Sequence, residues 1–192
     1  MGHKRTDTRY KKQIYFMKDY SKDQYSFGGV LRNTRRGRKA RPLSTKCAVH
    51  LVFKVDKTKI RKGLRSAIGF QICQKTIKKY AKRFYVKIEQ LAICGDHIHI
   101  LVRLSKRSFG QYFFRVVAGQ IAQEFKNIGL WVTDTQGIWK YRPFTRVVLG
   151  VRAFLIAKNY VRLNEQEAKG VIFYKKERLR GLTPEEWNLL WK

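Results

Sequence analysis

From Cys47 onward the chain switches repeatedly between two hydrophobic periods, and the order of those switches restricts the fold more than any other property of the sequence. Side chains alternate between the two faces of a strand but return every three or four residues on a helix. CAVHLVFKV, residues 47–55, carries Cys47, Val49, Leu51, Phe53 and Val55 at every second position and predicts a first strand. After DKTK, the apolar residues Leu64, Ile68, Cys73, Ile77, Tyr80 and Phe84 recur near the helical period, predicting a long helix with a lysine-rich outer face. VKIEQLAIC and HIHILVRL predict two strands separated by Gly95-Asp96, a dipeptide suited to a tight hairpin. A second helix is expected from about Ser108, with Phe114, Val117, Ala118, Ile121, Phe125 and Ile128 as its apolar stripe and Gly129 as its stop. LWVTDTQGIWKYRPFTRVVL has the aromatic and β-branched bias of one or two more strands, with a turn around 134–137. A third helix covers roughly 150–169. This order predicts an α+β fold: a ferredoxin-like βαββαβ antiparallel sheet with both helices on one face, plus a C-terminal helix.

The flanks read differently. Residues 1–46 hold 14 basic side chains against Asp7, Asp19 and Asp23, with little apolar periodicity, and predict a basic N-terminal arm. Its densest part, RNTRRGRKARP, supplies Arg32, Arg35, Arg36, Arg38, Lys39 and Arg41 as candidate DNA-binding residues. Arginines around a flexible glycine suit the negative potential of a narrow minor groove, and a polybasic tail making only phosphate contacts has the same composition. Residues 47–170 form the expected folded domain. Residues 171–192 form a tail with a short helix, in which Thr183 is the expected N-cap, Pro184 the first helical residue, and Trp187, Leu190 and Trp191 the docking side chains.

The formal net charge is +30, which makes a polyanion the expected partner. An acidic membrane surface is disfavoured, because no run of about 18 apolar residues and no N-terminal signal pattern occurs. Cys47, Cys73 and Cys94 are far apart, form no CxxC pair and fall among apolar residues, so they read as reduced core thiols.

Two histidines interrupt the apolar run of HIHILVRL. By strand alternation His97 and His99 share one face with Leu101, while Ile98, Ile100 and Val102 point to the other. Two imidazoles one pleat apart can share a divalent cation and leave positions open for substrate oxygens, although isolated histidines are commonly satisfied by carbonyls or water. A third ligand must then come from elsewhere. In AFLIAKNYVRLNEQEAK, residues 153–169, Tyr160 and Asn164 stand one helical turn apart on one face. The amide oxygen of Asn164 could complete a His97, His99, Asn164 set, a nitrogen and oxygen mixture suited to Mg²⁺ or Mn²⁺ more than to structural zinc.

Taken together, the basic arm, the strand and helix order, His-Ile-His after a Gly-Asp turn, and a later helix bearing YVRLN resemble the HUH single-tyrosine transposases. The resemblance spans about residues 43–170, includes PLSTKCAVHLVFKV, and is closest to the REP-associated tyrosine transposases, relatives of the insertion-sequence enzymes that act on single-stranded DNA with small hairpins. The insertion-sequence branch usually has glutamine four residues after the tyrosine, whereas this chain has Asn164, as in the REP-associated branch. The resemblance implies that Tyr160 attacks a scissile phosphodiester to give a 5′-phosphotyrosine and a free 3′-hydroxyl, with no nucleotide cofactor. It implies a divalent cation, Mg²⁺ or Mn²⁺, held by His97, His99 and Asn164, with His50 as a candidate supporting partner. The implied partner is single-stranded DNA with a REP-like or insertion-sequence hairpin, the protein being a monomer or homodimer in the bacterial cytoplasm at the nucleoid. Lys75, Lys78, Lys79, Lys82 and Arg83 would track phosphates.

Two other functions fit parts of the sequence. The same fold hosts non-catalytic DNA- and RNA-binding proteins, but the closely spaced aromatics those carry on a central strand are replaced here by His97 and His99. A replication initiator or relaxase uses the same phosphotyrosine chemistry, more often with a third histidine and in longer chains.

Overall fold

The computed structural model describes residues 25–29, 40–132 and 137–191 of the 192-residue chain. Among these residues five strands form one antiparallel sheet: β1 (Ser26–Phe27), β2 (Ala48–Lys54), β3 (Val86–Ile93), β4 (His97–Leu104) and β5 (Phe144–Val148), in the order β1-β5-β2-β4-β3. Among the described residues four α-helices accompany them: α1 (Ala67–Arg83), α2 (Arg107–Asn127), α3 (Val151–Ala168) and α4 (Pro184–Leu189). The order β2-α1-β3-β4-α2-β5 is the expected βαββαβ unit, and β2 and β4 take its two central positions.

Register explains where the core lies. Val49 sits opposite Val102, Leu51 opposite Ile100 and Phe53 opposite Ile98, so six apolar side chains from two neighbouring strands make one continuous plate. Cys73 and Ile77 of α1 and Phe113, Val117, Ile121 and Phe125 of α2 cover it, and all are essentially inaccessible to water. The other face is narrower. There α3 lies on Ala48, Ala92, Cys94, Leu101 and Val148 through Val161, with Ala153, Phe154 and Ala157 beside it. Small residues on both sides let this helix come close to the strands.

The β3–β4 hairpin is closed by Cys94 N–H donating to the carbonyl of His97 at 2.9 Å. Its turn is also pinned from outside, because the carbonyls of Gly95 and Asp96 accept from Leu64 N–H at 2.8 Å and Val55 N–H at 2.9 Å. A Cβ at Gly63 would stand 2.8 Å from the Gly95 carbonyl oxygen, so glycine is needed for that approach. The loop before α1 and the turn before His97 are therefore locked together.

Several details differ from the sequence expectations. Ser26–Phe27 pairs with β5 as an edge strand, although it lies in the stretch that reads as an arm; two residues are too few to display a period. Ile68 and Ile128, expected in helical stripes, are exposed, since Ile68 lies in the first turn of α1 and Ile128 is the C-cap of α2. Of the one or two strands expected after α2, the described residues contain one, Phe144–Val148, while Trp131 and Trp139 make single bridges to Ile60 and Val55. Helix α4 has the expected Thr183 cap, completed by Glu186 into a capping box, and Leu190 is buried beside Leu163 and Ile172. Helices α2 and α3 are followed by left-handed glycines, Gly129 at φ 70° and Gly170 at φ 76°, whereas α1 is followed by Tyr85 at φ 50°.

Candidate active site

The sheet face under α3 carries a cluster of rings. His97 and His99 meet edge to face with centroids 4.7 Å apart, as their shared strand parity requires. From β2, His50 stacks on His99 at 5.2 Å, and its Nε2 lies 3.1 Å from His99 Nδ1. From α3, the Tyr160 ring stands edge-on to His99 at 5.5 Å and to His50 at 6.2 Å. The helix and two central strands thus bring residues 50, 97, 99 and 160 to one point.

The ring nitrogens are oriented from behind. Asp96 Oδ1 is 2.6 Å from His97 Nδ1 and also faces Lys57 across 3.5 Å through its other oxygen. Burial opposes the charge of Asp96, but the hydrogen bond and attraction to His97, together with Lys57, hold its carboxyl below the usual range. With Nδ1 of His97 on Asp96 and Nδ1 of His99 on His50, the Nε2 atoms of both are left for a ligand. Desolvation pushes His50 down to about 4, with repulsion from Arg146 added. It pushes His99 well below its ordinary value too, with His50, His97 and Arg178 contributing. Both rings are therefore neutral at physiological pH, the state in which an imidazole can donate a lone pair.

Asn164 is 5% exposed and held at both ends of its amide. Its Nδ2 donates to the Tyr160 carbonyl at 2.6 Å, and its Oδ1 accepts from Arg178 Nη2 at 3.1 Å. Arg178 also donates to Glu167 at 2.6 Å and places its guanidinium 5.3 Å from the Tyr160 ring centroid. An amide oxygen has two acceptor sites, so Asn164 Oδ1 keeps one beyond Arg178. Among the described residues no three His, Cys, Asp or Glu side chains converge as a metal cage. A cation here would draw on the two free Nε2 atoms and on an amide oxygen, and the donor chemistry of these residues fits that mixed set.

Of the sequence candidates, His97, His99, Tyr160 and Asn164 fall within this sheet and helix assembly. Arg32, Arg35, Arg36, Arg38 and Lys39 lie outside the described residues. Arg41 is turned inward: its Nη1 donates to the Pro143 carbonyl and Thr145 Oγ1, both at 2.8 Å, and its guanidinium lies over Phe27. Burial, then Arg142, lowers it to about 10, so it stays charged at neutral pH while its hydrogen bonds bolt it to β5. Arg178 was not signalled by sequence. It follows the helix by ten positions, at φ 56°, in a tail that reads only as packing.

A family model described as "Transposase IS200 like" matches residues 43–164. Among solved structures, one of a REP-associated tyrosine transposase bound to a REP hairpin superposes with a TM-score of 0.56 at 15% identity, covering 79% of this chain and 91% of that one. A protein from Deinococcus radiodurans R1 solved as a candidate transposase aligns with a TM-score of 0.39 at 13% identity, covering 68% and 98%. No curated protein matches the chain.

Proposed function

Since the chain belongs to the IS200-like transposase family, its model matching residues 43–164, we propose that it is a metal-dependent, single-strand DNA endonuclease and transposase that works through a 5′-phosphotyrosine. The observation that carries this reading is the Tyr160 ring standing 5.5 Å, edge-on, from an imidazole of the His97–His99 pair. The Tyr160 oxygen attacks the phosphorus and loses its proton. The bond from phosphorus to the 3′-oxygen breaks, the phosphate stays on the 5′ side as a tyrosyl ester, and the departing oxygen takes up a proton as a 3′-hydroxyl. Rejoining reverses these transfers with another 3′-hydroxyl.

The residues divide the work. His97 Nε2, His99 Nε2 and Asn164 Oδ1 would hold a divalent cation, Mg²⁺ or Mn²⁺, which supplies charge stabilisation at the phosphate. Asp96 and His50 fix the imidazole rotamers of His97 and His99, and the neutral His99 ring keeps a lone pair free. Arg178 holds the Asn164 amide and flanks the phenol, so the two functional groups of α3 are positioned by one side chain. DNA with a hairpin is the proposed substrate, a REP hairpin being what the structurally similar transposase binds. Arg32, Arg35, Arg36, Arg38 and Lys39 are the proposed contacts to the stem or its flank.

The test is an oligonucleotide carrying the hairpin that flanks the native gene, incubated with Mn²⁺ or Mg²⁺ and resolved on a denaturing protein gel. A protein-DNA adduct that forms with wild type and disappears in Tyr160→Phe supports the assignment. Cutting without an adduct, or an adduct that persists in Tyr160→Phe, would overturn it.

A further inference from the structure

At the end of the sheet remote from His97, where α1 stops, β3 starts and α2 starts, five aromatic rings are arranged in two short stacks. Tyr80, Phe84 and Tyr112 follow one another with centroids 6.2 Å apart and interplanar angles of 22° and 23°. Tyr85 stacks on Phe109 at 6.1 Å and 28°. Tyr85 is 72% and Tyr112 50% exposed, so each stack ends in a ring offered to solvent. His99 and Leu104 are five residues apart on β4, which puts this end roughly 17 Å along the strand from the tyrosine site.

Helix energetics does not account for the surface. The left-handed residue that follows a helix is normally glycine, as it is after α2 and α3, because a Cβ there is strained by about 1 kcal/mol. After α1 the position carries a bulky tyrosine at φ 50°. Lys82 and Arg83 complement the C-terminal dipole of α1, but the charges at the start of α2 have no such explanation. Lys106 and Arg107 stand at the positive end of α2, whose first turn has no acidic residue, so they oppose its dipole. Residues 75–83 and 106–115 together contain eight Lys or Arg and no Asp or Glu. Lys79 and Lys106 already lie beside rings, 5.5 Å from the Tyr80 and 5.4 Å from the Phe109 centroid.

We propose that this basic aromatic platform binds a single-stranded stretch of DNA outside the scissile site, with bases stacked on Tyr85 and Tyr112 and phosphates held by the surrounding lysines and arginines. Flat exposed rings flanked by helix segments rich in Lys and Arg, with Glu89 of β3 already paired to Lys87 and Arg103, match the two features common to every unpaired nucleotide, a π face and a phosphate. The two ring stacks, being packed in place, offer their faces without having to be ordered first. The inference rests on DNA being the substrate but not on Tyr160 being the nucleophile.

The test is fluorescence anisotropy of labelled dT15, which has no hairpin, against the full chain, with wild type, Tyr85→Gly, Tyr112→Ala and the double variant. Each substitution is expected to weaken dT15 binding about tenfold, the scale of one lost stacking contact. Tyr85→Gly is expected to keep or raise the melting temperature, because it relieves the left-handed strain while removing the ring. Affinity within twofold of wild type in the double variant, with melting retained, would overturn the platform. Tighter binding of rU15 than dT15 through the same rings would reassign the occupant to RNA and also overturn it. Adduct formation is measured separately, so the failure of either reading is visible on its own.

Discussion

Along β4, neighbouring residues belong to two different chemistries. Ile98, Ile100 and Val102 are completely buried against α1 and α2, in register with a matching set on β2. His97 and His99, each one peptide away, face α3 together with His50 and Tyr160. The first face is filled by large branched side chains whose only requirement is shape. The second is lined by alanines and a cysteine that let a helix approach, and its two paired histidines are oriented through their Nδ1 atoms by His50 and Asp96. One strand can serve both because alternation separates the two demands. Packing against two helices on one face supplies the rigidity that the other face spends on orienting ring nitrogens.

The comparison can be broken at its sharpest point by Tyr160→Phe, which should abolish the covalent adduct outright while hairpin affinity, read by gel shift, stays within about twofold. Next comes the pair His99→Ala and Ile100→Ala. The histidine variant should lose at least about 100-fold in cleavage with its melting curve preserved. The isoleucine variant should lose about 2–5 kcal/mol of stability in urea titrations, yet cut normally per folded molecule. Equal destabilisation by both would mean that the two faces are not functionally distinct.

A smaller effect is expected at His50. His50→Leu removes the partner of His99 Nδ1 and should raise the Mn²⁺ concentration for half-maximal binding, measured calorimetrically, by about 10- to 100-fold. His50→Gln keeps a polar acceptor and should recover part of that loss. The smallest effect is on stability against pH in chelator. His50, at about 4, and His99, held well below its ordinary value, exclude protons that the unfolded chain binds near 6.5. Folding is therefore favoured above about pH 6.5 and loses stability as pH falls toward 4. His50→Gln should flatten the decline between pH 7 and 5 by about 2 kcal/mol at most, whereas substitutions on the apolar face should shift the curve without changing its slope.

Much of this was legible in the sequence wherever a local period determines geometry. The common face of His97 and His99 follows from strand alternation, and the pairing of Tyr160 with Asn164 on one helix side follows from a spacing of four. The contact between His50 and His99 was less legible, because it depends on a register between strands 49 residues apart that no local pattern states. Arg178 left no trace at all: its role depends on a left-handed turn in a non-periodic tail that folds back along α3. Arg41 is a different case, where a run of similar charges gives no sign that one member is hydrogen-bonded to Pro143 and Thr145.

Helix α3 alone carries both the phenol and the amide, and it begins at Val151, after the whole sheet has been encoded. Any stop codon that falls earlier in the gene therefore yields a product without the proposed nucleophile, however well its strands assemble. On the proposed chemistry such remnants are barred from breaking a chromosome by covalent attack, so a lineage accumulating broken copies would not accumulate stray cutters along with them.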